Sequence, residues 1–72
     1  MSEADAMFEE LGYEKRENNL EIKYIKNDVA MGEKFYFEIM FVKVSKLVKS
    51  KQLLTPYELK AITKKCEELG WL

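Results

Sequence analysis

Few side chains in this 72-residue chain could do chemistry, and most lack the companions that chemistry requires. Cys66 is the single cysteine, and the sequence contains no histidine. A nucleophilic thiolate needs a neighbouring base or cation to lower its pKa. Lys64 and Lys65 adjoin Cys66 in sequence, but on a helix they point off its face. Cys66 shares that face with Leu59 and Leu69 and reads as a small core side chain. Carboxylates pair at Glu9-Glu10 and Glu67-Glu68, and more run from Glu14 to Glu21. General acid–base work needs carboxyls in a cleft with displaced pKa values. These stand beside Lys and Arg, at helix ends or on polar strand faces, where water solvates them. Asp28 and Glu33 have neither the spacing nor the ligand number of a calcium loop. Gly12, Gly32 and Gly70 are isolated, so no glycine-rich phosphate loop is present. Zinc constellations and histidine-dependent triads are excluded by composition. The expectation is a protein that is not an enzyme and uses no metal and no cofactor.

One charge pattern stands out. Residues 1–36 hold nine acids and five bases, whereas residues 37–72 hold four acids and seven bases. No acid occurs between Ile39 and Tyr57, and that gap contains Lys43, Lys46, Lys49 and Lys51. Lysines near Tyr36 and Phe41 suit phosphate contact combined with base stacking. This segment is the candidate nucleic-acid site. Against it, Arg16 is the only arginine. The isoelectric point near 5.5 is far from that of basic nucleic-acid modules. Lysine on an edge strand also guards against edge-to-edge aggregation, and that reading stands ahead. The asymmetry equally suits self-association, acidic half against basic half.

Two helices must frame whatever these residues do. Ser2 is an N-cap, with Asp5 where a capping-box carboxylate would reach back. Ala4, Met7, Phe8 and Leu11 recur at helical spacing. Gly12 ends that helix as a left-handed C′ residue, and Tyr13 at C″ folds back on Phe8. The second helix opens on Thr55-Pro56-Tyr57-Glu58, a capping box with Pro at N1. Leu59, Ile62, Cys66 and Leu69 mark its apolar stripe, and Gly70-Trp71 repeats the Gly-aromatic ending. The spacing predicts helices near 3–11 and 56–69.

Between them the sequence is strand-like. Asn18-Asn19 marks a turn between Tyr13–Glu17 and Leu20–Lys26. Leu20, Ile22 and Tyr24 alternate with Glu21 and Lys23, a strand with one wet face. Asn27-Asp28 through Gly32 reads as a second connection. Residues 34–44 put Phe35, Phe37, Ile39 and Phe41 on one face and Tyr36, Glu38, Met40, Val42 and Val44 on the other. Phe37, Met40, Phe41, Val44, Leu47 and Val48 also fit a helical stripe, but the density of Phe, Tyr, Ile and Val favours a strand. A short strand near 46–51 follows a bend at Ser45. The expected architecture is α+β: an antiparallel meander of three to four strands between N- and C-terminal helices, α-β-β-β(-β)-α.

The chain is 47% hydrophobic with a net charge of −1, values that favour a folded domain over disorder. One cysteine allows no internal disulfide, and four methionines read as core filler. No apolar run approaches the roughly 20 residues of a membrane-spanning helix. Ser2-Glu3-Ala4-Asp5 lacks the basic start of a signal peptide. A single cytoplasmic domain without membrane contact is expected.

Ala6-Met7-Phe8-Glu9-Glu10-Leu11-Gly12-Tyr13, Thr55-Pro56-Tyr57-Glu58-Leu59-Lys60-Ala61-Ile62 and Glu68-Leu69-Gly70-Trp71 carry a resemblance. With their spacing, they resemble a family of small uncharacterised proteins encoded in phages and prophages of Gram-positive bacteria. The resemblance implies a phage or prophage accessory protein in the bacterial host cell, and it brings no catalytic residues. A domain this small has difficulty burying both faces of residues 34–44. Tyr36, Met40, Val42 and Val44 are therefore the candidate protein-binding residues. The expected partner is an unidentified protein or a second copy of the chain, with weak nucleic-acid binding as the alternative.

Overall fold

A computed structural model describes residues 2–72. The chain runs α1 (Glu3–Glu10), β1 (Glu14–Glu17), β2 (Glu21–Ala30), β3 (Glu33–Val42), β4 (Leu47–Ser50) and α2 (Pro56–Glu68). The four strands form one antiparallel sheet in the order β1-β2-β3-β4, each paired with its sequence neighbour. The fold is thus α+β, a four-stranded meander between terminal helices. Residues 37–48 are not helical, because β3 holds Phe37–Val42 in register between β2 and β4.

Both helices end as their Gly-aromatic signatures predict. The Tyr13 amide donates to the Phe8 carbonyl at 3.0 Å and the Gly12 amide to Glu9 at 2.9 Å, the two bonds of a Schellman motif. Trp71 to Cys66 (2.8 Å) and Gly70 to Glu67 (3.1 Å) repeat it. Gly12 has φ +93°, and a Cβ there would press on the Lys26 side chain at 3.2 Å. At the start of α2, Glu58 donates its amide to Thr55 Oγ1, while Glu58 Oε1 accepts from the Thr55 amide. At the start of α1 only half of the expected box forms. The Asp5 amide donates to Ser2 Oγ, but the Asp5 carboxylate turns inward to other partners.

The helices lie antiparallel on one face of the sheet. Glu68 Oε2 accepts from the Ala4 amide at 2.9 Å, and Lys64 pairs with Glu3 at 3.0 Å. Beneath them Phe8 stacks on Tyr24 with ring centroids 3.8 Å apart, and Phe41 meets both rings edge-on. Ile22, Ile39 and Ala61 complete the buried centre. Aromatic burial of this density supplies most of what so short a chain can gain on folding.

Several expectations are corrected. The buried side of α2 is Glu58, Ala61 and Lys65, with Ile62, Cys66 and Leu69 beside them, whereas Leu59 is half exposed. Lys65 therefore points into the molecule rather than off the Cys66 side. The segment from Asn27 is not a connection. β2 continues to Ala30, and only Met31-Gly32 turns, with φ +53° and +82°. Two residues with positive φ match the twist of the flanking strands, so the ladder extends through polar residues that read as loop. Met31 is fully exposed and not core filler; Met7 and Met40 are half-buried, and Met1 lies outside the described residues. Leu20 belongs to the β1–β2 turn, where Asn18 Oδ1 accepts from the Leu20 and Glu21 amides. Val44 falls in the turn 43–46 because β3 ends at Val42.

Candidate functional site

Strand alternation assigns every sheet residue to one of two faces. Ile22, Tyr24, Ile39 and Phe41 meet the helices. Their neighbours form the opposite face, which no helix covers. The register sets Arg16, Lys23, Met40 and Lys49 in one row across four strands. Glu14, Ile25 and Glu38 form the next row, and Glu21, Val42 and Leu47 the third. Ile25, Met40 and Val42 are half-buried by their neighbours, and Leu47 is exposed. The charges around this apolar strip are largely paired within the sheet: Lys23 with Glu21 at 3.2 Å, Arg16 with Glu14 at 3.4 Å.

At one side of the strip stands a polar group built on β3. Glu38 is buried although it sits on the uncovered face. Its Oε1 accepts from the Tyr36 hydroxyl at 2.8 Å, and Lys51 Nζ lies 3.9 Å from Oε2. The Lys51 ammonium also stands 5.2 Å from the centre of the Tyr36 ring. The bond to Glu38 pushes the Tyr36 phenol up from its ordinary value. The group fixes the Tyr36 ring at the edge of the strip and leaves it half exposed.

The candidate residues divide accordingly. Tyr36, Met40 and Val42 share the uncovered face, while Val44, highly exposed, sits beyond the end of β3. The four lysines do not converge. Lys43 Nζ donates to Glu17 Oε2 at 2.9 Å and to the Asn18 carbonyl at 2.8 Å. Lys46 occupies the β3–β4 turn with φ +57°. Only Lys49 and Lys51 stand on the uncovered face near Tyr36.

Two polar clusters inside the molecule were not legible as sites. In the first, the Asp5 carboxylate accepts from the Tyr24 hydroxyl at 2.5 Å, from Lys15 at 2.9 Å and from Lys65 at 3.3 Å. Burial pushes the Asp5 carboxyl up, but the Tyr24 bond and the two ammonium groups outweigh it and hold it well below the usual range. Burial, then Asp5, push the Tyr24 phenol up. In the second, the Tyr13 hydroxyl donates to Glu58 Oε2 and accepts from Gln52 Nε2 at 3.2 Å. Burial raises the Glu58 carboxyl, and the bonds from Tyr13 and Thr55 more than reverse it. Both clusters are satisfied internally: no buried side-chain nitrogen or oxygen among the described residues lacks a partner. The first ties both helices to β1 and β2, and the second ties α2 to Tyr13 and Gln52, just outside β1 and β4. Cys66 is half-buried, and burial pushes its thiol up, away from nucleophilic character. The one sequence signal near these clusters is the pair Ala4 and Ala61, small residues fully buried on the two helices.

Shallow depressions of about 450 and 510 Å³ lie on the outer side of the helices, between Met7 and Tyr57 and beside Leu59. Among the described residues, no group of three or more His, Cys, Asp or Glu side chains could hold a metal ion, and no helix is long and apolar enough to cross a membrane. Comparison with known protein families, with curated proteins and with solved structures finds no match for this chain.

Proposed function

We propose that this chain is a non-enzymatic protein-binding module that docks through the uncovered face of its sheet, centred on Tyr36, Met40 and Val42. The observation that carries the reading is the half-apolar strip Ile25-Met40-Val42-Leu47, left bare while the opposite face holds both helices. An exposed apolar strip rimmed by paired charges suits a protein partner better than a reactant. The resemblance of the two chain ends supports a phage or prophage accessory role in the bacterial cytoplasm. A photo-cross-linking residue in place of Met40 is expected to capture the partner in host cells. The same probe at Thr63, on the outer side of α2, is expected to capture none. The reading fails if Thr63 captures the same protein with equal yield, or if Met40→Lys with Val42→Lys leaves capture intact.

Lys49 and Lys51 beside Tyr36 favour one alternative, weak nucleic-acid binding on the same face. That mode loses affinity steeply with salt, whereas an apolar contact does not. On that alternative, a shift of single-stranded DNA or RNA by the unaltered protein disappears in Lys49→Glu and at high salt, whereas protein capture at Met40 is indifferent to salt.

A further inference from the structure

The β2–β3 ribbon outruns its neighbours. β1 pairs only with Ile22–Ile25 and β4 only with Ile39–Val42. Residues 26–30 and 33–37 therefore continue as a two-stranded arm with two open edges. The edges differ. On β2 the Glu21 carbonyl accepts from Asn18, so odd-numbered residues turn their backbone outward. Val29 is one of these, and its amide is taken up by the Asp28 carboxylate at 2.9 Å. On β3 the Glu38 amide donates to Gln52 and its carbonyl accepts from Lys51, so even-numbered residues turn outward. Lys34 and Tyr36 are next in that series, and no hydrogen bond engages their outward groups among the described residues. Of the outward amides on the arm, β2 has one of two (Val29, not Asn27) taken up locally, whereas both on β3 are open beside an aromatic ring.

We propose that this β3 edge pairs with the same edge of a second copy, antiparallel about a two-fold axis at Phe35. The proposal goes beyond the face-docking reading, because it uses the strand edge that the uncovered face leaves free. Self-pairing follows from complementarity at this register. Phe35, 41% exposed, faces Phe35 of the second copy. Lys34 faces the Tyr36 ring of the second copy, a cation over an aromatic face. Glu33 faces Phe37, whose ring already carries the Lys26 ammonium 5.1 Å from its centre. Lys26, Glu33 and Lys34 form no ion pair within the chain among the described residues. The two-fold axis sets Lys26 against Glu33 of the second copy, a contact made twice in the dimer. Backbone bonds at Lys34 and Tyr36 would join the two meanders edge to edge. So short a contact makes a weak, concentration-dependent dimer.

Sedimentation velocity of the full chain over a concentration series tests this. The unaltered protein is expected to shift from monomer to dimer as concentration rises. Lys26→Glu sets glutamate against Glu33, and Glu33→Lys sets lysine against Lys26, so each alone should weaken dimerisation at least tenfold. An equimolar mixture of the two variants restores both contacts and should recover the dimer, which misfolded variants would not do. Lys34→Pro removes an outward amide without touching the β2–β3 ladder and should also give a monomer. A strict monomer at every concentration, or a dimer indifferent to Lys26→Glu, Glu33→Lys and Lys34→Pro, overturns the proposal. If such a dimer dissociates on Met40→Lys, the edge pairing is wrong and binding through the uncovered face survives. A strict monomer whose Met40 probe captures nothing removes both.

Discussion

Glu58 and Asp5 each hold two parts of the structure together, and neither role shows in the composition of a helix. One Glu58 oxygen closes the capping box on Thr55, and the other receives the Tyr13 hydroxyl. Asp5 gives its amide to the N-cap and its carboxylate to Tyr24, Lys15 and Lys65. The capping box was legible because its spacing is local. The inward reach of Asp5 and Lys65 was not, since polar residues on a helix read as wet until a second helix comes close. A carboxyl whose folded pKa lies below its unfolded value contributes stability that is complete above the unfolded value and disappears as pH falls through the folded one. Asp5, Glu58 and Glu68 are all lowered. Stability should therefore be flat from neutral pH down to about 5 and decline below about 4. Asp5→Asn should cost roughly 2 kcal/mol at pH 7. The deficit should shrink as the pH of urea denaturation is lowered towards 2. A deficit unchanged by pH would show that the Asp5 charge contributes nothing.

At the scale of elements, the terminal helices were readable to within a residue because caps and Gly-aromatic endings are local chemistry. The rotation of α2 was not. Leu59 looks like stripe and Ala61 like filler, yet packing chose the small residue for the contact and left the larger one half exposed. Ala61→Leu is expected to overpack the centre and lower stability by about 1–3 kcal/mol. Leu59→Lys should stay within about 0.5 kcal/mol of the parent. Thermal melts of the two variants, measured side by side, check the orientation of the helix; equal losses would refute it. The length of β2 was hidden for a related reason. Asn27 and Asp28 carry turn chemistry, but they pair with Tyr36 and Phe35 in a ladder whose direction was set earlier, at Ile22 and Tyr24.

For the whole molecule, the sheet is assembled from neighbours, so its topology followed from alternation and turn signals alone. The bare face was implied by counting: two short helices can cover only one side of four strands. Which charges would meet across strands depends on register, and so the row Arg16-Lys23-Met40-Lys49 and the buried Glu38 emerged only in three dimensions. The bond from the Ala4 amide to Glu68 has one more consequence. It brings the first turn of α1 against the last turn of α2, so a short linker between residues 72 and 2 would close this backbone into a ring. Where it is cut should matter little. A circular permutant, with residues 2 and 72 joined by a short Gly-Ser linker and new ends opened between Met31 and Gly32, separates no pair of packed side chains and frees Met31 from its strained backbone. Such tips tolerate new ends. The permutant should fold to the same circular-dichroism spectrum and unfold within about 2 kcal/mol of the parent. Opened instead between Tyr24 and Ile25, the same ring would divide the strand that bears the central ring stack, and it should not fold.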